Sequence, residues 1–135
     1  KNKNYLLFIN SPNNPSGQVC KNLEEIADVA KKYNLIILSD EIYSDLSFED
    51  NYKSISSFCP EKTIISTGLS KWCGAGGWRL GYFLVPDSLI EIKNMINLII
   101  RTKLYICYFW SKLCIIPQKP MKVRTCCHFF ESRDT

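Results

Sequence analysis

Short continuous apolar runs and segments of helical period alternate along the first hundred residues. Tyr5–Ile9 (YLLFI) is an unbroken apolar run, which predicts a strand buried on both faces, as in parallel sheets. The stretch SPNNPSG at 11–17 is dense in turn residues and predicts a loop. Asn22 then precedes Leu23 and Glu24, with Glu25 three residues on, which predicts a capping box with Asn as N-cap. Leu23, Ile26, Ala27, Ala30 and Tyr33 follow helical spacing, and the helix should end near Asn34. Leu35–Leu38 (LIIL) predicts a second buried strand, so residues 5–38 form a βαβ unit with a right-handed crossover. Thr63–Ser66 (TIIS) and Leu80–Val85 predict two more strands. Pro86 and Asp87 open a helix whose apolar stripe is Leu89, Ile92, Ile96 and Ile99. The pattern is that of an α/β fold with a mostly parallel sheet and flanking helices.

After residue 100 no period of 2 or 3.6 is sustained, and composition changes with it. The chain of 135 residues carries a net charge of +4. Residues 1–100 hold ten Lys/Arg and eleven Asp/Glu, whereas 101–135 hold seven and two. All the excess basicity lies in the last quarter. A nucleic-acid footprint is expected as a patch on a folded body, so this distribution argues against one. Cys107, Cys114, Cys126 and Cys127 crowd into the same segment. Two parts are therefore expected: 1–100, and an unassigned Cys-rich basic tail, 101–135, that is poorly ordered or loosely packed.

Cysteine count and hydropathy narrow the setting further. Seven cysteines, an odd number without CxxC pairs, and a single histidine, His128, give no paired zinc spacing. Reduced thiols in a cytoplasmic setting are the expectation. The most apolar stretch, Leu104–Ile116, contains Lys112 and falls short of the ~20 residues a membrane-spanning helix needs. Neither a membrane nor a nucleic acid is an expected partner.

Three constellations follow predicted strands: NNPSG, SDEIY and SKWCGAGGWR. Each has a plain structural reading on its own. NNPSG makes a turn, Asp40 ends a strand, Lys71 is a solvated charge, and Gly74, Gly76 and Gly77 permit close packing. Two rival motifs fail. GAGGWR has Arg79 where the dinucleotide fingerprint needs its last glycine, and it precedes a strand instead of a helix. GLSK lacks the spacing of a Walker loop. With one histidine, in the tail, a Ser–His–Asp or Cys–His arrangement in the body is excluded.

Taken in order, Asn-Pro-Ser-Gly, Asp-x-x-Tyr, and Ser-Lys with Arg eight residues later in GWRLGY resemble the class I/II aminotransferases. These are fold-type I enzymes that use pyridoxal 5′-phosphate. The resemblance covers residues 5 to about 100 and implies an internal part of the large, cofactor-binding domain, truncated at both ends. It implies that Lys71 forms the Schiff base with the cofactor aldehyde, a task only a primary amine performs. It implies that Asp40 pairs with the pyridine nitrogen and keeps the ring an electron sink. Asn14 and Tyr43 align with the groups that hydrogen-bond the ring's phenolic oxygen. Arg79 aligns with the arginine whose fork grips the phosphate, and Ser70 with a donor to it. Many relatives carry Ser three residues before the lysine; here that position is Gly68, with Ser66 and Thr67 as substitutes. Trp72 and Trp78 are expected to pack.

The same resemblance implies a reaction that moves an amino group from an amino acid to a 2-oxo acid, in a homodimeric parent. The same lysine, aspartate, tyrosine and arginine also serve lyases and synthases of this fold. A non-catalytic fragment is the third reading. The family's glycine-rich phosphate turn and ring-stacking aromatic do not precede Tyr5. Arg101, Arg124 and Arg133 lie in no context matching the family's arginine for the substrate carboxylate.

Overall fold

The computed structural model describes residues 5–48, 52–78, 80–103 and 112–118, with side chains through Leu98. Strand β1 (Leu6–Asn10) is followed by helix α1 (Leu23–Lys32) and strand β2 (Ile36–Asp40). Strands β3 (Thr63–Gly68) and β4 (Leu80–Pro86), helix α2 (Ile90–Lys103) and strand β5 (Lys112–Gln118) complete the elements. The strands form one sheet in the order β1-β2-β3-β4-β5. The pairs β1/β2, β2/β3 and β4/β5 are parallel, and β3/β4 is antiparallel. The mostly parallel α/β sheet expected from the apolar runs is the observed fold.

Each face of the sheet has its own core. On one face Ile37 packs with Leu23, Ala27 and Ala30 of α1 and with Ile55 and Cys59. On the other, Ile64 and Val85 pack with Leu89, joined by Leu38 and Ile92. Burial of Leu23, Ala27 and Ala30 follows the predicted stripe of α1, but Tyr33 is exposed beneath the Lys32 ammonium, 5.4 Å from its ring centre. Glu24 and Glu25 in the first turn of α1 and Lys31 and Lys32 in the last complement its dipole. Asn34 follows the helix in the left-handed region (φ 53°), a conformation asparagine tolerates, and accepts from Lys62 Nζ at 2.6 Å.

Three expectations are corrected. Asn22 is the N-cap, but its side chain caps no amide. Its ψ of 39° departs from the extended conformation that aims a capping oxygen at the first turn. Strand β1 is not buried on both faces: Leu6 is 61% and Phe8 59% exposed, because β1 lies at the sheet edge and α1 covers only the face bearing Leu7 and Ile9. The region beyond residue 100 is not wholly without regular structure. Helix α2 continues to Lys103, and Lys112–Gln118 pairs with β4 through backbone groups, a pairing that needs no side-chain period. Ile99 of the predicted α2 stripe, and Cys107, Cys126, Cys127 and His128, lie outside the described side chains. Among the described residues no helix is long and apolar enough to cross a membrane, and no group of His, Cys, Asp and Glu has metal-binding proximity.

Candidate active site

The carboxyl ends of the parallel strands carry the candidate chemistry. Asn10 ends β1 and Asp40 ends β2, and the two are register partners; Asp40 in turn pairs with Ser66 of β3. Paired residues on neighbouring strands share a face, so Asn10, Asp40 and Ser66 form one polar row at the sheet's edge. Asn10 Nδ2 donates to Asp40 Oδ2 at 3.2 Å. Asn13 Nδ2 donates to Asn10 Oδ1 at 2.8 Å, and Ser16 Oγ to Asn13 Oδ1 at 2.9 Å. This relay runs in one direction, from the SPNNPSG loop to the carboxylate. The loop contains cis peptide bonds before Pro12 and Pro15.

Tyr43 lies one turn beyond β2. The chain bends there through bonds from Ser44 N to Glu41 O and from Leu46 N to Tyr43 O. Asn14 Nδ2 reaches the Tyr43 hydroxyl at 3.0 Å. The loop therefore meets the end of β2 twice, through Asn10–Asp40 and Asn14–Tyr43. The Lys71 ammonium stands 5.4 Å from the centre of the Tyr43 ring, within cation–π range. Three of the six predicted site residues, Asn14, Tyr43 and Lys71, thus meet at the turn after β2, and Asp40 lies three residues before Tyr43 at the end of that strand. Ser70 is half-buried in the turn beside Lys71. Arg79 lies outside the described residues.

Glycine at 68 has a structural cause. A side chain there would place its Cβ 2.7 Å from the Leu80 carbonyl oxygen and 3.1 Å from Gly81 Cα. The close crossing of β3 and β4 at Gly68 and Gly81 thus excludes a side chain at this position. Gly74 takes φ +66°, a left-handed turn that glycine accepts without strain, and it closes the loop after Lys71 through its N–H to the Lys71 carbonyl. Trp72 and Trp78 do not pack as expected: both are exposed, Trp78 at 73%.

Several participants escape a reading by motif. Asn10 and Asn13 become visible only once the β1/β2 register is known; the sole signal was Asn10 closing an apolar run. Glu41 sat inside SDEIY but points away from Asp40. It is 6% exposed and accepts from Ser39 Oγ at 2.9 Å and Ser54 Oγ at 2.6 Å. The described cysteines, Cys20, Cys59 and Cys73, are free thiols, and burial, with Glu61 second, pushes the Cys59 thiol above its ordinary range. An inert structural cysteine results.

The model of the family "Aminotransferase class I and II" matches residues 1–109. The chain belongs to the class I and II aminotransferases. It is 36% identical over 105 residues to a probable aspartate aminotransferase of Methanocaldococcus jannaschii, covering 76% of this chain and 28% of that protein. It is 45% identical over 94 residues to an aspartate aminotransferase of Pyrococcus abyssi, covering 66% and 24%. Among solved structures, an aromatic aminotransferase from Pyrococcus horikoshii superposes with a TM-score of 0.61 at 38% identity, over 75% of this chain and 27% of its own. A double mutant of Thermus thermophilus aspartate aminotransferase gives 0.54 at 38% identity, over 57% and 21%. The chain spans about a quarter of the length of the relatives it matches.

Proposed function

We propose that this chain is the cofactor-holding centre of a pyridoxal-phosphate-dependent aminotransferase that moves an amino group from an amino acid to a 2-oxo acid. The observation that carries the reading is the contact of the Lys71 amine with the Asn14–Tyr43 pair, three residues beyond the Asp40 carboxylate that ends β2. In open α/β sheets that edge is where ligands bind. The donor set fits the group. A carboxylate anchored by Asn10 suits a protonated ring nitrogen. A hydroxyl and an amide suit an ionised ring oxygen, and a primary amine suits an aldehyde. When bound, pyridoxal phosphate supplies the aldehyde carbon and a ring that draws off electron density.

The chain's own residues then have distinct tasks. Asp40 binds and orients, its Oδ2 held by Asn10 and its Oδ1 facing the Ile42 N–H at 3.4 Å. Tyr43 and Asn14 fix one oxygen by two donors of set direction. Lys71 attaches the cofactor and, once released, carries the proton at its Nζ. Ser70 and Arg79 are assigned to the phosphate, Ser70 by its place beside Lys71 and Arg79 by its spacing in the motif. Substrates and a homodimeric parent belong to the same proposal. The test is titration of the chain with pyridoxal phosphate. A visible absorption band that is lost in Lys71→Ala supports the reading, and a band that persists in that variant refutes it.

A further inference from the structure

We propose that Glu41 is a positioning residue of this site: its carboxylate, gripped on the α1 side of the sheet, sets the place of Asp40 on the other face and of Tyr43 in the turn that follows. The inference rests on the cofactor reading above. Consecutive residues at a strand end point to opposite faces, so Ser39 and Glu41 turn inward while Asp40 turns to the site. Both inward residues are buried, Ser39 at 2% and Glu41 at 6% exposure.

A buried carboxylate is retained only when its oxygens are hydrogen-bonded. Here Ser39 Oγ and Ser54 Oγ both donate to Oε1, and Ser54 also receives the Ser56 N–H at 3.1 Å. Tyr52 is the third hydroxyl. Burial first, then the Glu41 charge and a hydrogen bond to it, then Asp45, hold its phenol far above the ordinary tyrosine range. Tyr52 therefore stays a donor. The three hydroxyls come from β2 and from the segment 52–54, so Glu41 clasps that segment to the strand end.

The backbone of the same residue fixes the site side. Glu41 N donates to Ser66 O at 2.9 Å, continuing the β2/β3 pairing beyond Asp40, and Glu41 O receives Ser44 N at 3.0 Å, the first bond of the turn bearing Tyr43. A shift of the Glu41 side chain is thus passed to Asp40 on one side and Tyr43 on the other. Tyr52 also lines, with Asn14, Tyr43 and Phe58, a cleft of about 1220 Å³. The clasp and the Asn14–Tyr43 pair share that wall.

The test uses the whole chain in three variants, Glu41→Gln, Ser54→Ala and the exposed control Ser57→Ala, with carbon-13 in Asp carboxyls and Tyr rings. Ser54→Ala removes the 2.6 Å bond to Glu41 with little loss of packing, and it decides the matter should Glu41→Gln fail to fold. Expected are displaced Asp40 and Tyr43 resonances without cofactor in Ser54→Ala and Glu41→Gln, and unmoved ones in Ser57→Ala. Half-saturation with pyridoxal phosphate should weaken about tenfold in the first two, the scale of one lost buried hydrogen bond. Resonances and half-saturation that stay at wild-type values in folded Ser54→Ala overturn the proposal. Wild-type chain that takes no cofactor at Lys71 refutes the cofactor reading, a different failure, because the resonances are read without cofactor.

Discussion

Asp40 and Gly68 show how a single residue is fixed by what surrounds it. Asp40 is half-buried, takes its bond from Asn10, and belongs to neither core cluster. Its loss removes the anion assigned to the ring nitrogen and little packing. In the full-length parent, Asp40→Ala should therefore lower turnover far more than stability, with about 1.5–3 kcal/mol lost in cofactor binding alone. Steady-state kinetics beside thermal unfolding would check this, and unchanged turnover would contradict the role. Gly68→Ser is the converse. It adds a hydroxyl three residues before Lys71, but its Cβ meets the Leu80 carbonyl, which is backbone and cannot rotate away. A destabilisation of about 1–3 kcal/mol is expected, as for overpacked sites, and urea unfolding would measure it.

At the scale of elements, much was legible and the exceptions have physical causes. Ile37, Leu23, Ala27 and Ala30 sit where the apolar run and the helical period place them, because burial leaves its mark on the sequence. Asn14, Asp40, Tyr43 and Lys71 were legible as ordered motifs after strands. The Asn10 relay and the Glu41 clasp were not, since both depend on register and on contacts between distant segments. Exposure of Leu6 and Phe8 was hidden for a related reason: an apolar run reads as buried, but the sheet edge decides whether anything covers it. The cap of α1 is a case where motif and geometry part. Asn22→Ala should cost well below the ~1 kcal/mol typical of a working N-cap, because no side-chain bond is lost. A urea midpoint displaced as far as for a true cap would show that the bond forms in solution.

For the whole molecule, the proposed residues are assigned to a cofactor's ring, amine and phosphate, and none of them to a substrate carboxylate. Fixing both reactants supplies about 7–11 kcal/mol of a barrier, and an arrangement that fixes only the cofactor forgoes the substrate's share of it. The 135-residue chain by itself should show no transamination above free pyridoxal phosphate in a coupled assay with a panel of amino donors and 2-oxoglutarate. Turnover that vanishes in Lys71→Ala would mean that this chain builds a substrate site of its own. The central claim is narrower, and it concerns which amine takes the cofactor. Its most direct test is borohydride reduction of the chain with pyridoxal phosphate, followed by peptide mapping. The geometry around Tyr43 and the spacing to Arg79 predict a single label on Lys71. A label on Lys93, or on Lys112, Lys119 or Lys122, would contradict it.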